Sequence, residues 1–169
     1  MIRVRLVLIF AALAAVASGG ATTGSMAPST EGNYQDRIQV QEGEGVRVSA
    51  AVPSADEARK LFNMNLYIRG IQPVWIKIEN SKDEYVTFLP VGVDPEYFTP
   101  LEVANIDVDT KKSQPVSLVN KFFLDQKMRL LIGPGEELSG FIFTQLDEGT
   151  KAFNVDISTD DDFQTFTFF

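Results

Sequence analysis

The sequence predicts a mainly β fold, an immunoglobulin-like β-sandwich with short helical insertions, and three observations carry that expectation. Beyond about residue 37, apolar residues alternate with polar ones through most of the chain, which is the period of a half-buried strand. Some seven such runs are separated by turn residues, the spacing of sandwich folds. Phe dominates the aromatic residues, 13 against four Tyr and one Trp, and large apolar rings suit the space between packed sheets. An α+β arrangement is the alternative, because the helical signals gather in the middle third.

In chain order, residues 1–17 read as a signal peptide. Arg3 and Arg5 give a positive start, Leu6 to Val16 an apolar middle, and Ala15-Val16-Ala17 a small-residue cleavage site before Ser18. The apolar run is too short for a bilayer core of about 30 Å, so cleavage is expected, with no membrane span afterwards. Ala15 to Gly20 is shaped like the end of a lipoprotein signal but holds no Cys to acylate. Residues 18–36 mix Gly, Ser, Thr, Ala and Pro without period and read as a flexible leader. Residues 37–169 are left as one β-sandwich domain, enough chain for a single core.

Within that domain Val46, Val48 and Ala50 alternate with Arg47 and Ser49. Val74, Ile76 and Ile78 alternate with Trp75, Lys77 and Glu79 in the clearest strand of the chain. Asn80 to Glu84 reads as a polar turn, so Tyr85 to Val91 is expected to return as the second arm of a hairpin. Met128 to Ile132 is a short apolar run ended by Gly133-Pro134-Gly135, and Leu138 to Thr144 is the next strand. Phe153, Val155 and Ile157 alternate with polar residues, and Phe163 to Phe169 closes the chain with Phe166 and Phe168 on one face.

Two helices have start signals. Ser54-Ala55-Asp56-Glu57 and Thr99-Pro100-Leu101-Glu102 are both capping boxes, the second with Pro where its missing N–H costs nothing. Val116 to Gln126 is a third helix, with Leu118, Val119, Phe122 and Phe123 on one side.

The composition excludes much chemistry. With no His and no Cys there can be no histidine general base, Ser-His-Asp triad, thiolate nucleophile, disulfide, or histidine- or cysteine-held metal. The formal charge is -8, and loss of Arg3 and Arg5 with the signal takes it to -10, so nucleic acid is not an expected partner.

Each remaining candidate has a plainer reading. Asp156, Ser158, Asp160, Asp161 and Asp162 alternate oxygen ligands as a calcium loop does, but lack its glycine and bidentate glutamate and suit a solvated hairpin turn. Glu96, Glu102, Asp107 and Asp109 could supply a glycosidase pair, yet Glu102 already serves a helix cap. Gly133-Pro134-Gly135-Glu136-Glu137 has no G-K-[ST] ending and two acids that would repel phosphate. Arg69, Gln72, Trp75 and Tyr97 stand out as a set; an exposed Trp75 would mark a contact patch, while a core position between the sheets is expected. Thr165 to Phe169 offers a strand to a partner or closes the core, and the core is expected. No residue is assigned to catalysis, a cofactor or a metal.

Four segments carry a family resemblance: Ala51-Val52-Pro53-Ser54 into Glu57-Ala58-Arg59, Arg69-Gly70-Ile71-Gln72-Pro73-Val74-Trp75 into Ile78-Glu79-Asn80, Asp94 to Glu102, and Gly140-Phe141-Ile142-Phe143-Thr144 into Asp147 to Lys151. Over residues 46–169 they resemble the LssY-type C-terminal domain of secreted or membrane-attached bacterial proteins. That resemblance implies an envelope accessory domain, sometimes joined to phosphatidic-acid-phosphatase-like enzymes, and brings no activity with it. Such a phosphatase needs histidines, which this chain lacks. The expectation is thus a periplasmic or secreted, non-catalytic accessory or interaction domain with an envelope protein partner. A carboxylate-based extracytoplasmic hydrolase and a calcium-dependent binding module are the alternatives.

Overall fold

A computed structural model describes residues 33–106 and 115–169. The expected signal peptide, the leader up to residue 32, and Asp107 and Asp109 lie outside the described residues. Eight strands are present: β1 (Gln39–Gly43), β2 (Val46–Ala51), β3 (Ile71–Asn80), β4 (Val86–Leu89), β5 (Leu131–Ile132), β6 (Glu137–Gln145), β7 (Phe153–Ser158) and β8 (Phe163–Phe168). They form two antiparallel sheets in the orders β1-β2-β3-β6 and β5-β4-β7-β8. The chain crosses between sheets three times, from β3 to β4, from β5 to β6 and from β6 to β7. Because β3 pairs with β6 and β4 with β7, the first and last crossings lock together, as in immunoglobulin-like sandwiches.

Alternation builds the inner core. Val46, Val48 and Ala50 of β2 and Val74, Ile76 and Ile78 of β3 face Phe88, Val155, Ile157, Phe166 and Phe168 of the second sheet, all buried. A second core lies on the other side of the first sheet. There α1 (Ala55–Phe62), α2 (Pro100–Asn105) and α3 (Val116–Gln126) cover Ile71, Phe141 and Phe143 with Phe62, Val103, Val119, Phe122 and Phe123. Both capping boxes are formed, Ser54 with Glu57 and Thr99 with Glu102.

Five details depart from the sequence reading. The expected hairpin of β3 and β4 does not form: β3 pairs with β2 and β6, and β4 belongs to the other sheet. The reason is Asn80, buried at the end of β3. Its amide Nδ2 donates to the carbonyls of Glu84, Ile132 and Gly133 at 2.8, 3.3 and 3.0 Å, and its Oδ1 accepts from the Lys82 N–H at 3.0 Å. Those bonds make the segment an arch between sheets. Trp75 does not sit between the sheets; it is half-buried on the helix side, its ring 6.1 Å from that of Tyr34. Leu118 was expected with Val119, Phe122 and Phe123 but is exposed, because the narrow contact of α3 buries only the last three. β1 was not legible, since Gln39-Val40-Gln41-Glu42 holds one apolar residue. Tyr34, in the stretch read as leader, is buried in the second core, so packing starts ahead of residue 37.

β1 and β2 join through Glu44 and Gly45, both at positive φ (38° and 81°), the two-residue turn that matches strand twist. Gly140 in β6 answers a closer constraint. A Cβ there would lie 2.4 Å from the Met128 nitrogen and 2.6 Å from the Lys127 carbonyl carbon, where Met128 N–H donates to the Phe141 carbonyl at 3.1 Å. Gly140→Ala is expected to cost about 1–3 kcal/mol through forced backbone movement; an unchanged urea midpoint would contradict this.

Candidate functional site

At one end of the sandwich polar residues from the segments behind the family resemblance are bonded to one another and to Tyr67. Gln72, buried at the start of β3, donates from Nε2 to the Tyr67 hydroxyl at 3.4 Å and accepts at Oε1 from the Asp147 N–H at 3.3 Å. The Tyr67 hydroxyl donates to the Pro53 carbonyl. Burial raises the Tyr67 pKa. Thr144 donates to the Gln72 carbonyl at 2.8 Å, and the buried Lys151 ammonium donates to the Gln145 carbonyl at 3.1 Å and the Asp147 carboxylate at 2.7 Å. Asp94 accepts from the N–H groups of Gln145 and Glu96 at 2.7 and 2.8 Å.

All four segments behind the family resemblance meet here, through Pro53, Gln72, Asp94 and the stretch from Thr144 to Lys151. Buried polar groups must be satisfied, and this network satisfies them while closing the end of the sandwich. The set Arg69, Gln72, Trp75 and Tyr97 is not a single site. Gln72 faces the inner side of β3 and Trp75 the helix side, while Arg69 and Tyr97 are exposed on flanking segments.

Next to this network Glu57 does two jobs. It completes the capping box at Ser54 and accepts from Arg37 at 2.6 Å. The Arg37 guanidinium holds its carboxyl down at about 2, opposed by burial, against an unfolded value near 4.3. A depressed carboxyl stabilises the fold above its unfolded pKa, and that contribution is lost as pH falls through the folded one. Stability should therefore fall as pH drops from about 4.3 towards 2. Glu57→Gln retains the cap geometry, so it should remove this part of the acid dependence and cost about 1 kcal/mol at pH 7. Urea unfolding at stepped pH checks both; an unaltered acid slope would contradict the assignment.

Of the carboxylates considered for hydrolysis, Asp107 and Asp109 lie outside the described residues and Glu96 is exposed. Glu102 accepts from the Thr99 N–H at 2.6 Å, which lowers its pKa, whereas a general acid needs a raised one. Asp94 is held by its two backbone N–H groups. An open depression of about 520 Å³ at the other end is lined by Glu42, Glu44, Arg47, Glu79 and Ser81 among others. Its carboxylates include Glu42, paired with Arg47 at 3.2 Å, and Glu79, paired with Lys77 at 3.1 Å.

The acidic stretch near the end of the chain is the hairpin turn of β7 and β8. Asp156 lies back on β7, where it accepts from Thr165 at 2.8 Å. Ser158 donates to the Thr159 carbonyl, and Asp162 N–H donates to the Thr159 hydroxyl at 3.0 Å. Asp156 is thus not gathered with Asp160, Asp161 and Asp162. Among the described residues no three carboxylates gather as a cation site. Gly133 to Glu136 is a tight turn, with Glu136 N–H donating to the Gly133 carbonyl at 3.0 Å and Gly135 at φ 68°. Phe166 and Phe168 are core residues, and the carbonyls of Thr167 and Phe169 accept from Gln41 and Gln39 of β1.

The outward faces of the two sheets differ, and sequence reasoning missed this because it depends on pairing between distant strands. On the first sheet, the half beyond the helices carries Glu42, Arg47, Glu79 and Glu137 in one register row. Lys77 bridges Glu79 and Glu137 at 3.1 and 2.9 Å, and the two acids raise its pKa. At the same end of the second sheet the row reads Leu131, Thr87, Ser158, Phe163. Leu131 and Phe163 are 51% and 56% exposed, and Tyr85 beside them on the β4 side is 61% exposed. Strand spacing puts the ends of this row about 14 Å apart. No charged side chain interrupts it.

No family model, curated protein or solved structure matches this chain.

Proposed function

We propose that this chain is an exported, non-catalytic interaction domain of the bacterial cell envelope that binds a protein partner through the outer face of β5-β4-β7-β8. The observation that carries the reading is the contrast between the two sheets. One outer face is closed by helices and a charge ladder, while the other presents Tyr85, Leu131 and Phe163 to solvent beside threonine and serine. Exposed aromatic and aliphatic residues grouped on one rigid sheet are the composition of a contact surface. The charged groups at the opposite end hold the fold, which leaves them little part in chemistry.

Export rests on the tripartite N-terminal segment, and the envelope address on the LssY-like segments. The hydrolase and calcium alternatives draw less support, because Glu102 serves a helix cap and Asp156 lies on a strand apart from Asp160, Asp161 and Asp162.

The test is native extraction of the envelope fraction from cells expressing the full chain. The protein should be recovered there with Ser18 as its first residue, in a complex larger than one chain. Leu131→Glu with Phe163→Glu should release it from that complex without changing its unfolding midpoint. Retention in the cytoplasm with the first residues intact would overturn the export reading. A monomer in extract would overturn the interaction reading.

A further inference from the structure

The rim of the exposed row carries a charge bias of its own. Asp83 follows the arch out of β3, and Asp160 and Asp161 form the turn that leads into Phe163; all three are exposed. None makes an ion pair among the described residues. Lys82 and Arg129 nearby are already engaged. Lys82 lies 3.6 Å from Glu84 and 3.8 Å from Asp162, and Arg129 lies 3.2 Å from Glu136. An apolar row therefore adjoins three unmatched carboxylates, while Lys82 and Arg129 beside it are paired.

We infer that the row of Leu131, Thr87, Ser158 and Phe163 with its acidic rim docks an extended segment of a partner protein in which apolar residues alternate with lysine or arginine. The inference rests on the interaction-domain reading above and adds the chemistry of the partner. Alternation follows from the surface. An extended segment presents one face to the sheet and the other to the rim, so apolar contacts and cations fall on alternate residues. Complementary charge at a rim mainly sets encounter rate and specificity, and the apolar centre supplies affinity. A second copy of this chain is a poor occupant, because it would bring the same three carboxylates to the same rim.

The test is NMR titration of the exported chain with a soluble decapeptide of alternating valine and lysine, and with its valine–glutamate counterpart. Amide shifts should change along β4, the end of β7 and the start of β8 with the lysine peptide alone. Affinity should fall at least tenfold in Leu131→Glu with Phe163→Glu. Those changes add negative charge, so loss of a cationic peptide can only come from the apolar row. Asp83→Asn with Asp160→Asn and Asp161→Asn should weaken binding several-fold and flatten its salt dependence. Ile68→Glu, at the far end, should leave binding intact.

Shifts spread over every acidic loop, equal binding of the glutamate peptide, or binding that survives the double variant would overturn the inference. Concentration-dependent shifts on this face without peptide would overturn it in favour of a second copy. If the native complex falls apart in the double variant but ignores both the triple variant and salt, the interaction domain stands and the cationic partner does not.

Discussion

Phe62→Ala is expected to lower the unfolding free energy by about 3–5 kcal/mol, the cost of emptying a fully packed aromatic position. Phe62 is 1% exposed and is the hub of the second core. Its ring lies 5.0 and 5.3 Å from those of Phe141 and Phe143 on the sheet, both edge-on, and 5.7 Å from that of Phe123 on α3 in a stack. One side chain on α1 thus ties the sheet to α3. Removing it leaves a cavity that neighbours on two different elements cannot jointly fill, and the edge-on and stacked contacts add to the area term. Urea unfolding measures the change. A loss under 1 kcal/mol would mean that the helices do not pack on the sheet as described.

Asn80→Ala is expected to cost about 2–4 kcal/mol, for a different reason. Three carbonyls at the arch lose their shared donor and the Lys82 N–H loses its acceptor, and unmet buried polar groups carry their full desolvation penalty. Asn80→Asp should be worse still at neutral pH, although it is nearly isosteric. It retains an acceptor for Lys82 N–H but turns a carboxylate towards carbonyl oxygens. The ordering Ala milder than Asp, read from urea midpoints, separates a hydrogen-bond role from a packing role. The reverse ordering would contradict the donor assignment.

Asn80 also shows where sequence legibility stops. Local signals were sufficient for most elements. The alternation of Val74, Ile76 and Ile78, the two capping boxes, the Gly133-Pro134-Gly135 turn and the shared face of Phe166 and Phe168 are each fixed by neighbours a few residues apart. A polar stretch after a strand is equally good as a hairpin turn or an arch. What decides between them is bonding from Asn80 to Ile132 and Gly133, some fifty positions later. The same limit applies to Trp75: alternation gives its face relative to Ile76, but which face meets helices depends on where α1 and α3 return. Leu118 was misplaced because an apolar stripe states what can be buried, and the neighbour's width decides how much is.

The candidate surface was the least legible part. Leu131, Thr87, Ser158 and Phe163 come from four separate strands, and no local pattern links them. Alternation sets Phe163 on the opposite face to Phe166 and Phe168, but only the packing of the two sheets shows that this face is open to solvent. Gln72, Asp94, Thr144 and Lys151, from the segments behind the family resemblance, close one end of the fold. Distinctive motifs here mark structural necessity, and the exposed face is built from ordinary residues.

One measurement tests the central claim most directly. A photo-reactive benzoylphenylalanine placed at position 163 in the full chain, and separately at position 68, is irradiated in living cells. The account predicts a discrete cross-linked protein from position 163 and none from position 68, which is more exposed still. Cross-links from both positions alike, or from neither, would contradict the claim that the outer face of β5-β4-β7-β8 is where this domain meets its partner.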